Sequence, residues 1–241
     1  MPVSVTPVPC LSDNYAWLLR APDGRLAVCD PGEAAPVAAA VDAAGGRLDT
    51  ILLTHHHGDH IGGVAELVKR YGAKVVGAAA DAHRLPPLDA AVAPEQTIEV
   101  IGVPVRVLAS DGHTRGHIAF HFPDCAIVLC GDTLFSLGCG RLLEGTAAEM
   151  HESLQRLAAL PPETLVCCGH EYSESNARFA LTVEPDNAAL RARADEIARQ
   201  RAEGKPTVPT TIGEENAANP FMRARDAATL ARIRAAKDSF R

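Results

Sequence analysis

Several features that would indicate a nucleic-acid-binding, membrane-spanning or disulfide-linked protein are missing from this sequence. The formal net charge is −7, so the chain has no cationic excess with which to neutralise phosphates. No apolar run approaches the roughly 18 residues of a transmembrane helix, and residues 1–7 contain neither the basic nor the apolar part of an export signal. The seven cysteines are an odd number, and Cys167 and Cys168 are adjacent, which argues against a disulfide framework. We therefore expect a cytoplasmic protein without nucleic-acid or membrane partners.

Two further signals are missing. No Gly-x-Ser-x-Gly elbow occurs, which argues against a serine nucleophile of the hydrolase type. No coiled-coil or exposed amphipathic stripe demands a partner chain, so we expect a monomer. With 241 residues and 47% hydrophobic content, the chain can bury a sizeable core in one large domain with an accessory one.

What the sequence does contain is a dense cluster of imidazoles. Four of the ten histidines lie within Thr54–His60, directly after the apolar run Thr50–Leu53. Alternate side chains of an extended segment point the same way, so His55 and His57 can share one metal ion while Asp59 and His60 turn toward a second. A purification tag or surface run is the alternative, but tags lie at termini and carry no carboxylate. The cluster predicts half of a two-metal site.

Three predicted strands farther along the chain end in other metal-competent side chains. The strands are residues 103–107, 126–130 and 164–168. The side chains that follow them are His113 and His117, Asp132, and His170. Taken alone, each of these residues is of a kind that commonly occurs in turns and helix caps. Together with the strand before the histidine cluster, however, four strands with such ends would converge on one edge of a sheet. These residues are therefore candidates for the remaining ligands.

The motifs resemble those of the metallo-β-lactamase superfamily, and among its members the chain is most similar to glyoxalase II, the hydroxyacylglutathione hydrolase family. They are Thr-His-x-His-x-Asp-His at 54–60, Gly-His-Thr-x-Gly-His at 112–117, Gly-Asp-Thr-Leu-Phe at 131–135 and Cys-Gly-His-Glu-Tyr at 168–172. Further similar segments lie at 11–15, 139–146, 214–216 and 219–223. The resemblance runs essentially end to end. It implies an α/β layered fold of the αβ/βα sandwich type with a C-terminal helical domain.

The resemblance also implies a ligand set for two divalent ions. One ion would be held by His55, His57 and His113, the other by Asp59, His60 and His170, and Asp132 would bridge both. Zinc is expected, although iron and manganese accept the same donors. The middle histidine, His56, is not a ligand in the family, and His117 is expected to support the ligands.

Two such ions indicate hydrolysis. They lower the pKa of bound water from about 15.7 to about 7, and the resulting hydroxide would attack an acyl carbon while one ion stabilises the oxyanion. The resemblance implies Asp132 and Asp59 as the catalytic carboxylates beside this hydroxide. A cysteine nucleophile is disfavoured, because it would need a histidine and an acid besides those assigned to the metal ions, and the motifs offer none. A thiol with a pKa of about 8.5 leaves as thiolate without a dedicated acid, which fits a thioester substrate.

The substrate implied by the resemblance is an S-(2-hydroxyacyl)glutathione, with S-D-lactoylglutathione and methylglyoxal detoxification as the expected case. The residues implied for substrate binding are the cations Arg141, Arg234 and Lys237, the hydroxyl of Tyr172, and Leu143. Arg234 and Lys237 have i, i+3 spacing, so both can meet one anion from a helix. Many members carry a tyrosine where this chain has Leu143, a loss of about 0.5 to 1.5 kcal/mol of hydrogen bonding.

The pattern of elements predicts two unequal domains. Short apolar runs alternate with helical segments at 33–44 and 147–160, which is typical of layered α/β folds. After Tyr172 the strand signals stop, and helices are predicted at 188–201 and 226–240 with an extended connector at 205–219. We expect a metallo-β-lactamase-like catalytic domain at 1–170 and a helical substrate-binding domain at 171–241.

Other functions remain open at this point. A persulfide dioxygenase of the same superfamily would use one iron and also handle glutathione, while the helical tail makes a lactonase or nuclease less favoured. A noncatalytic metal-binding or scaffold protein is the alternative from a different class. Retention of all seven ligand positions favours the enzyme.

Overall fold

The computed structural model describes residues 3–240 of the chain. These residues form two compact units. The first unit contains the described residues up to Ala109 together with Gly116–Gly131. The second unit contains Ser110–Arg115 and the described residues from Asp132 onward. The predicted domain division at residue 170 follows sequence motifs rather than compactness, and it stays a prediction.

The first unit opens with a mixed sheet in which the strands pair in chain order. These strands are β1 (Ser4–Cys10), β2 (Asn14–Arg20), β3 (Leu26–Cys29), β4 (Thr50–Leu52), β5 (Lys74–Ala78) and β6 (Ala90–Val92). The first three are antiparallel, and β3 to β6 are parallel. Parallel neighbours need crossovers, and helices α1 (Ala34–Ala43), α2 (Gly58–Ile61) and α3 (Val64–Tyr71) lie in them. The helix predicted at 33–44 is α1.

Buried apolar side chains hold these crossovers on the sheet. Val28 and Ile51 of the parallel strands are fully buried in one cluster with Val37 of α1 and Leu67 of α3. Burying a side chain of this size contributes about 1.5 to 3 kcal/mol. Because β4 is anchored by this packing, the segment that follows it leaves the sheet at a defined position.

The first unit also contains an antiparallel set of strands. They are β7 (Thr97–Val100), β8 (Val103–Ala109), β9 (Ile118–Phe122) and β10 (Ile127–Gly131), in the spatial order β10, β9, β8, β7. Phe120 pairs with Val107 on one side and Leu129 on the other, and all three are fully buried. The strands predicted at 103–107 and 126–130 are β8 and β10.

The second unit is mainly helical. Its elements are β11 (Leu134–Phe135), β12 (Gly138–Cys139), α4 (Ala147–Ala158), β13 (Leu165–Cys168), α5 (Ser173–Val183), α6 (Ala188–Ala202), β14 (Thr210–Thr211), α7 (Ile212–Ala218) and α8 (Ala227–Ser239). The helices predicted at 147–160, 188–201 and 226–240 are α4, α6 and α8, with ends that differ by at most two residues. A capping box of Thr146 and Glu149 starts α4, and Asp226 caps α8. Within residues 3–240, every helix is too short or too polar to cross a lipid bilayer.

The prediction of an extended connector over 205–219, without strands after Tyr172, is wrong for residues 210–218. Thr210 and Thr211 form β14, which pairs with Leu165 and Val166 of β13. Thr211 then starts α7, because its hydroxyl accepts from the backbone N–H of Glu214 while the Glu214 carboxylate accepts from the N–H of Thr211. This capping box starts a helix inside the segment that was expected to be extended.

Candidate metal centre

The histidine cluster lies where β4 ends in the first unit. The side chains of His55 and His57, which follow the strand, point to the same side, and Nε2 of His55 lies 3.0 Å from Nδ1 of His57. Two nitrogens that share a tetrahedral zinc ion at about 2.0 to 2.1 Å would lie about 3.3 Å apart. The short helix α2 begins at Gly58 and carries Asp59 and the buried His60. The local geometry therefore brings these ligand candidates together as the alternation of side chains predicted.

Asp30 orients two of these imidazoles from the end of β3. Its carboxylate accepts from the N–H of Thr54 at 2.8 Å and from the Thr54 hydroxyl at 2.6 Å, and it lies 3.1 Å from Nδ1 of His60. The Thr54 hydroxyl also lies 3.0 Å from Nδ1 of His55. With Nδ1 engaged on both rings, Nε2 is the nitrogen that faces a metal. Asp30 comes within ligand distance of His55 and His60, but its bonds to Thr54 make it a support for the ligands.

The sequence did not reveal Asp30, and the packing around it explains why. Asp30 has a left-handed backbone with φ 51°, and the next turn contacts the start of α3. A Cβ on Gly63 would lie 2.7 Å from the Pro31 carbonyl, to which Gly63 donates a 2.8 Å hydrogen bond. Only glycine permits this approach. An Asp-Pro-Gly sequence after an apolar strand was the available signal.

Other side chains of the first unit hold the cluster from outside. Asn14 donates from Nδ2 to the Asp59 carboxylate at 2.9 Å and to its carbonyl at 3.2 Å. His56 points to the fully buried Asp81, with Nδ1 at 2.9 Å from its carboxylate. The ring of His117 stacks on that of His55 with centroids 4.7 Å apart. The Asp81 contact of His56 agrees with the expectation that His56 is not a ligand, and the stacking of His117 on His55 agrees with the expectation that His117 supports the ligands.

The second unit brings His113, Asp132 and His170 together. The Oδ2 atom of Asp132 lies 3.4 Å from Nε2 of His113 and 3.3 Å from Nε2 of His170. Nδ1 of His113 lies 2.8 Å from the Arg141 carbonyl, which can only accept, so Nδ1 carries the proton and Nε2 the lone pair. The His170 ring stacks on Tyr172 at 4.6 Å, nearly parallel.

These donors fit divalent metal ions. Each unit presents imidazole nitrogens and carboxylate oxygens, the donor types that zinc, iron and manganese accept. The engaged Nδ1 atoms of His60 and His113 are the outer hydrogen bonds that metal-binding histidines typically make. The arrangement supports binding of a divalent metal.

A cavity of about 440 Å³ opens in the second unit beside this group. Its wall contains His113, Asp132, Phe135, Cys139, Gly140, Arg141, Tyr172, Ser175, Asn176, Arg234, Lys237 and Phe240. Four of the five residues predicted to bind substrate are therefore in the lining. The fifth, Leu143, is not part of that wall and is 60% exposed. The cavity size suits a small-molecule ligand.

The two cations of α8 have different environments. Arg234 is buried, and it donates to the Cys139 carbonyl at 2.7 Å and pairs with Asp238 at 2.9 Å. Lys237 donates to the carbonyl and hydroxyl of Ser175 at 3.0 and 2.9 Å. Burial, followed by the nearby cations Arg234, Arg178 and Arg141, lowers the pKa of Lys237 to about 8. The Arg234 guanidinium is thus bound to other groups of the cavity wall. An anionic ligand would stabilise the charged form of Lys237.

Three comparisons show which known proteins this chain is similar to. The family profile of the Metallo-beta-lactamase superfamily matches residues 12–170, and that of the Hydroxyacylglutathione hydrolase C-terminus matches residues 171–240. A hydroxyacylglutathione hydrolase of Acidiphilium cryptum is 60% identical over 237 residues, which cover 98% of this chain and 97% of the relative.

Solved structures are similar over most of their length. BLEG-1 B3 metallo-beta-lactamase matches with a TM-score of 0.71 at 22% identity, covering 91% of this chain and 99% of the other. TTHA1623 in a di-iron-bound form matches with a TM-score of 0.64 at 28% identity, covering 92% and 99%. Together with the family profiles, these similarities confirm the fold class that the sequence predicted.

Proposed function

We propose that this chain, which belongs to the hydroxyacylglutathione hydrolase family of the metallo-beta-lactamase superfamily, hydrolyses S-(2-hydroxyacyl)glutathione thioesters. The expected substrate is S-D-lactoylglutathione, with glutathione and D-lactate as products, so the enzyme would take part in methylglyoxal detoxification. One observation carries the proposal. The cavity of the second unit combines the metal-competent His113 and Asp132 with the cations Arg141, Arg234 and Lys237 in one wall.

The proposed centre contains two ions. His55, His57 and His113 would hold one, Asp59, His60 and His170 the other, and Asp132 would bridge. The 3.0 Å separation of the His55 and His57 nitrogens supports the first set, and the nearly equal distances from Asp132 to His113 and His170 support the bridge. The di-iron form of a relative supports the number of ions. Zinc is our choice for this chain, with iron and manganese as the alternatives.

When bound, the two ions would lower the pKa of a coordinated water to about 7 and polarise the thioester carbonyl. The protein's own residues orient these events. The Arg141 carbonyl and the Asp30 carboxylate hold His113 and His60 in the tautomer that has its proton on Nδ1. The lone pair of Nε2 is then available to bind a metal ion. Asp132 and Asp59 are the carboxylates that touch the reacting centre in this scheme.

The rest of the cavity would bind the glutathione part of the substrate. Glutathione carries two carboxylates, and Lys237 and Arg141 are the cations with capacity to meet them, while Arg234 holds the wall through the Cys139 carbonyl. The Tyr172 hydroxyl is a further donor. The thiolate product, with a thiol pKa of about 8.5, leaves without a general acid and takes its proton from solvent.

Steady-state hydrolysis of S-D-lactoylglutathione by metal-quantified protein tests this proposal. Rapid turnover, with much weaker turnover of an acyl thioester of a small uncharged thiol, is expected because the uncharged thiol cannot engage Lys237 and Arg141. Equal kcat/KM for both thioesters would contradict glutathione recognition. The absence of turnover by the fully loaded protein would reject the hydrolase.

The same preparation separates the other candidate functions. Oxygen uptake with glutathione persulfide and one iron per chain would establish a persulfide dioxygenase. Inactivity toward both substrates with metals bound would leave a noncatalytic metal-binding protein. The family match over both parts of the chain favours the hydrolase.

The proposal extends to organisation and setting. We assign residues 1–170 to a catalytic domain and 171–241 to a substrate-binding domain, a division supported by the boundary between the two family profiles. A cytoplasmic monomer that binds neither nucleic acid nor membranes is our expectation. The net charge of −7 supports the absence of nucleic-acid and membrane partners, because anionic polymers and lipid surfaces would be repelled. Size-exclusion chromatography with light scattering checks the oligomeric state.

A further inference from the structure

The hairpin β11–β12 connects two parts of the candidate site in the second unit. Asp132 precedes it, Arg141 follows it, and Phe135 and Cys139 within it line the cavity. The Phe135 ring packs edge-on against His170 and Tyr172, with centroids 5.9 and 5.3 Å apart. The shape of this hairpin therefore decides where one wall of the cavity lies.

The tip of the hairpin has an unfavourable backbone conformation. Leu137 is fully buried and has φ 57°, a left-handed value that costs a branched side chain free energy. Such a conformation persists only where its surroundings hold it. The side chain of Leu137 packs with Ala177, Leu190 and Ile197 of α5 and α6.

Side chains of the C-terminal segment bind the backbone of this tip. The Glu215 carboxylate accepts from the N–H of Leu137 at 2.9 Å. Asn219 Nδ2 donates to the Phe135 carbonyl at 3.1 Å and the Gly138 carbonyl at 3.0 Å, and it lies 2.8 Å from Glu215 Oε2. Both residues are fully buried. Asn176 completes the set by donating to the Ser136 carbonyl at 3.1 Å.

Burial gives this network its strength and its specificity. A buried donor or acceptor that loses its partner pays its full desolvation cost, so the tip is stable mainly in the one conformation that satisfies Glu215 and Asn219. The Asn219 side chain is itself oriented, because its Oδ1 accepts from the N–H of Phe221 at 2.9 Å. Residues about 80 positions away in sequence thus determine the course of the hairpin.

We propose that Glu215 and Asn219 are positioning residues that hold the β11–β12 hairpin, and with it Phe135 and the Cys139–Arg141 segment, in the shape that binds the thioester substrate. Neither residue lines the cavity, and both act through the hairpin backbone. The inference rests on the proposed function for its substrate and on the hydrogen-bond network for its geometry.

The variants Glu215→Ala and Asn219→Ala test the inference, with Glu215→Gln as the conservative change that keeps an oxygen acceptor. For each alanine variant we expect the KM for S-D-lactoylglutathione to rise by at least about fivefold, with kcat per folded, metal-loaded chain within about twofold of wild type. Glu215→Gln should return KM to within about twofold. Leu154→Ala in α4, a fully buried site outside the network, is the matched control for lost stability.

A merely structural role gives a different pattern. Partial unfolding reduces the active concentration, and so apparent kcat, while KM of the remaining enzyme is unchanged, which is the result expected for Leu154→Ala. The same result for both alanine variants would overturn the inference. So would failure of Glu215→Gln to restore KM.

A second measurement does not depend on the reaction. Backbone hydrogen exchange of a peptide covering residues 134–140 should be at least about tenfold faster in Glu215→Ala than in wild type, because the Leu137 N–H loses its acceptor. Unchanged exchange would contradict the positioning role even if catalysis fell. If the wild type fails to hydrolyse the thioester but the exchange result holds, the proposed function fails and the hairpin network stands.

Discussion

The two units support their ligand candidates in different ways. In the first unit, four candidates lie within six consecutive positions, and carboxylates and amides from other elements orient them, as Asp30 does for His60 and Asn14 for Asp59. In the second unit, the candidates are spread over 58 positions, from His113 to His170, and they share a cavity wall with Arg141 and Lys237. We infer that changes around the first group mainly alter metal affinity, while changes around the second also alter substrate binding.

The largest effect that separates the two groups is expected for Asp30→Asn. Asparagine tolerates the left-handed backbone of Asp30, but it offers one acceptor oxygen to the three donors that face the carboxylate. Metal affinity should fall about 10- to 100-fold, as measured by competition with a chromogenic chelator. KM of the fully loaded variant should stay within about twofold of wild type.

Asp124→Asn, an exposed site of the first unit, is the matched control for Asp30→Asn and should bind metal as the wild type does. Wild-type metal affinity in Asp30→Asn would break the distinction between the two groups. A raised KM with full metal loading would also break it, because it would connect Asp30 to substrate binding.

Lys237 should make substrate binding sensitive to pH. Its pKa is lowered to about 8, and a bound carboxylate favours the charged form, so its contribution to binding is present below pH 8 and is lost as pH rises through that value. KM should rise by up to about tenfold per pH unit above 8. Lys237→Arg should flatten the profile between pH 7 and 9.5, because arginine stays charged, and a flat wild-type profile would contradict the assignment.

A substitution at the exposed Leu143 of the second unit should change KM by a smaller factor. Leu143→Tyr adds a hydroxyl at a residue that is predicted to bind substrate, and one hydrogen bond of about 0.5 to 1.5 kcal/mol would lower KM by about 2- to 12-fold. Leu143→Phe is the control, since it adds a ring without the hydroxyl. An equal gain in both variants would indicate apolar contact instead of a hydrogen bond.

His121 provides the smallest effect and belongs to the first unit alone. It is buried, and neither ring nitrogen has a hydrogen-bond partner within residues 3–240. Burial, followed by the charge of Arg106, lowers the pKa of His121 in the folded protein. As pH falls below the pKa of about 6.5 in the unfolded chain, the unfolded chain is protonated at His121 more readily than the folded one, so the wild type loses stability. His121→Phe should remove this contribution and leave stability at pH 7 unchanged or higher by up to about 1 kcal/mol.

Urea unfolding of both proteins at pH 7 and pH 5.5 measures the His121 effect. The wild type should lose more unfolding free energy between the two pH values than His121→Phe does. Equal losses would show that acid sensitivity arises elsewhere, for example in the ligand histidines.

The ligand candidates were readable from the sequence because they are local. Consecutive histidines after an apolar strand, and glycine with a ligand at later strand ends, follow from short-range pattern alone. Their supports were not readable. Asp30 and Asp81 reach the 54–60 loop from residues 24 or more positions away, and only the packing of the sheet brings them there.

The helical tail shows the same limit. Composition and spacing predict helices α6 and α8. They predict an extended connector where α7 lies, although Thr211 and Glu214 form a capping box there. The bonds from Glu215 and Asn219 to the β11–β12 hairpin join residues about 80 positions apart. Side-chain exposure, such as that of Leu143, likewise depends on the folded surroundings.

Metal titration of the apo protein tests the central claim most directly. Hydrolysis of S-D-lactoylglutathione should rise with added zinc to a plateau at two equivalents per chain. Asp132→Asn should lose at least about 100-fold in kcat, because loss of even an outer partner of a metal ligand typically costs about 10- to 100-fold, whereas the exposed control Asp186→Asn should keep wild-type kcat. A plateau at one equivalent, or full activity without metal, would contradict a two-metal thioester hydrolase.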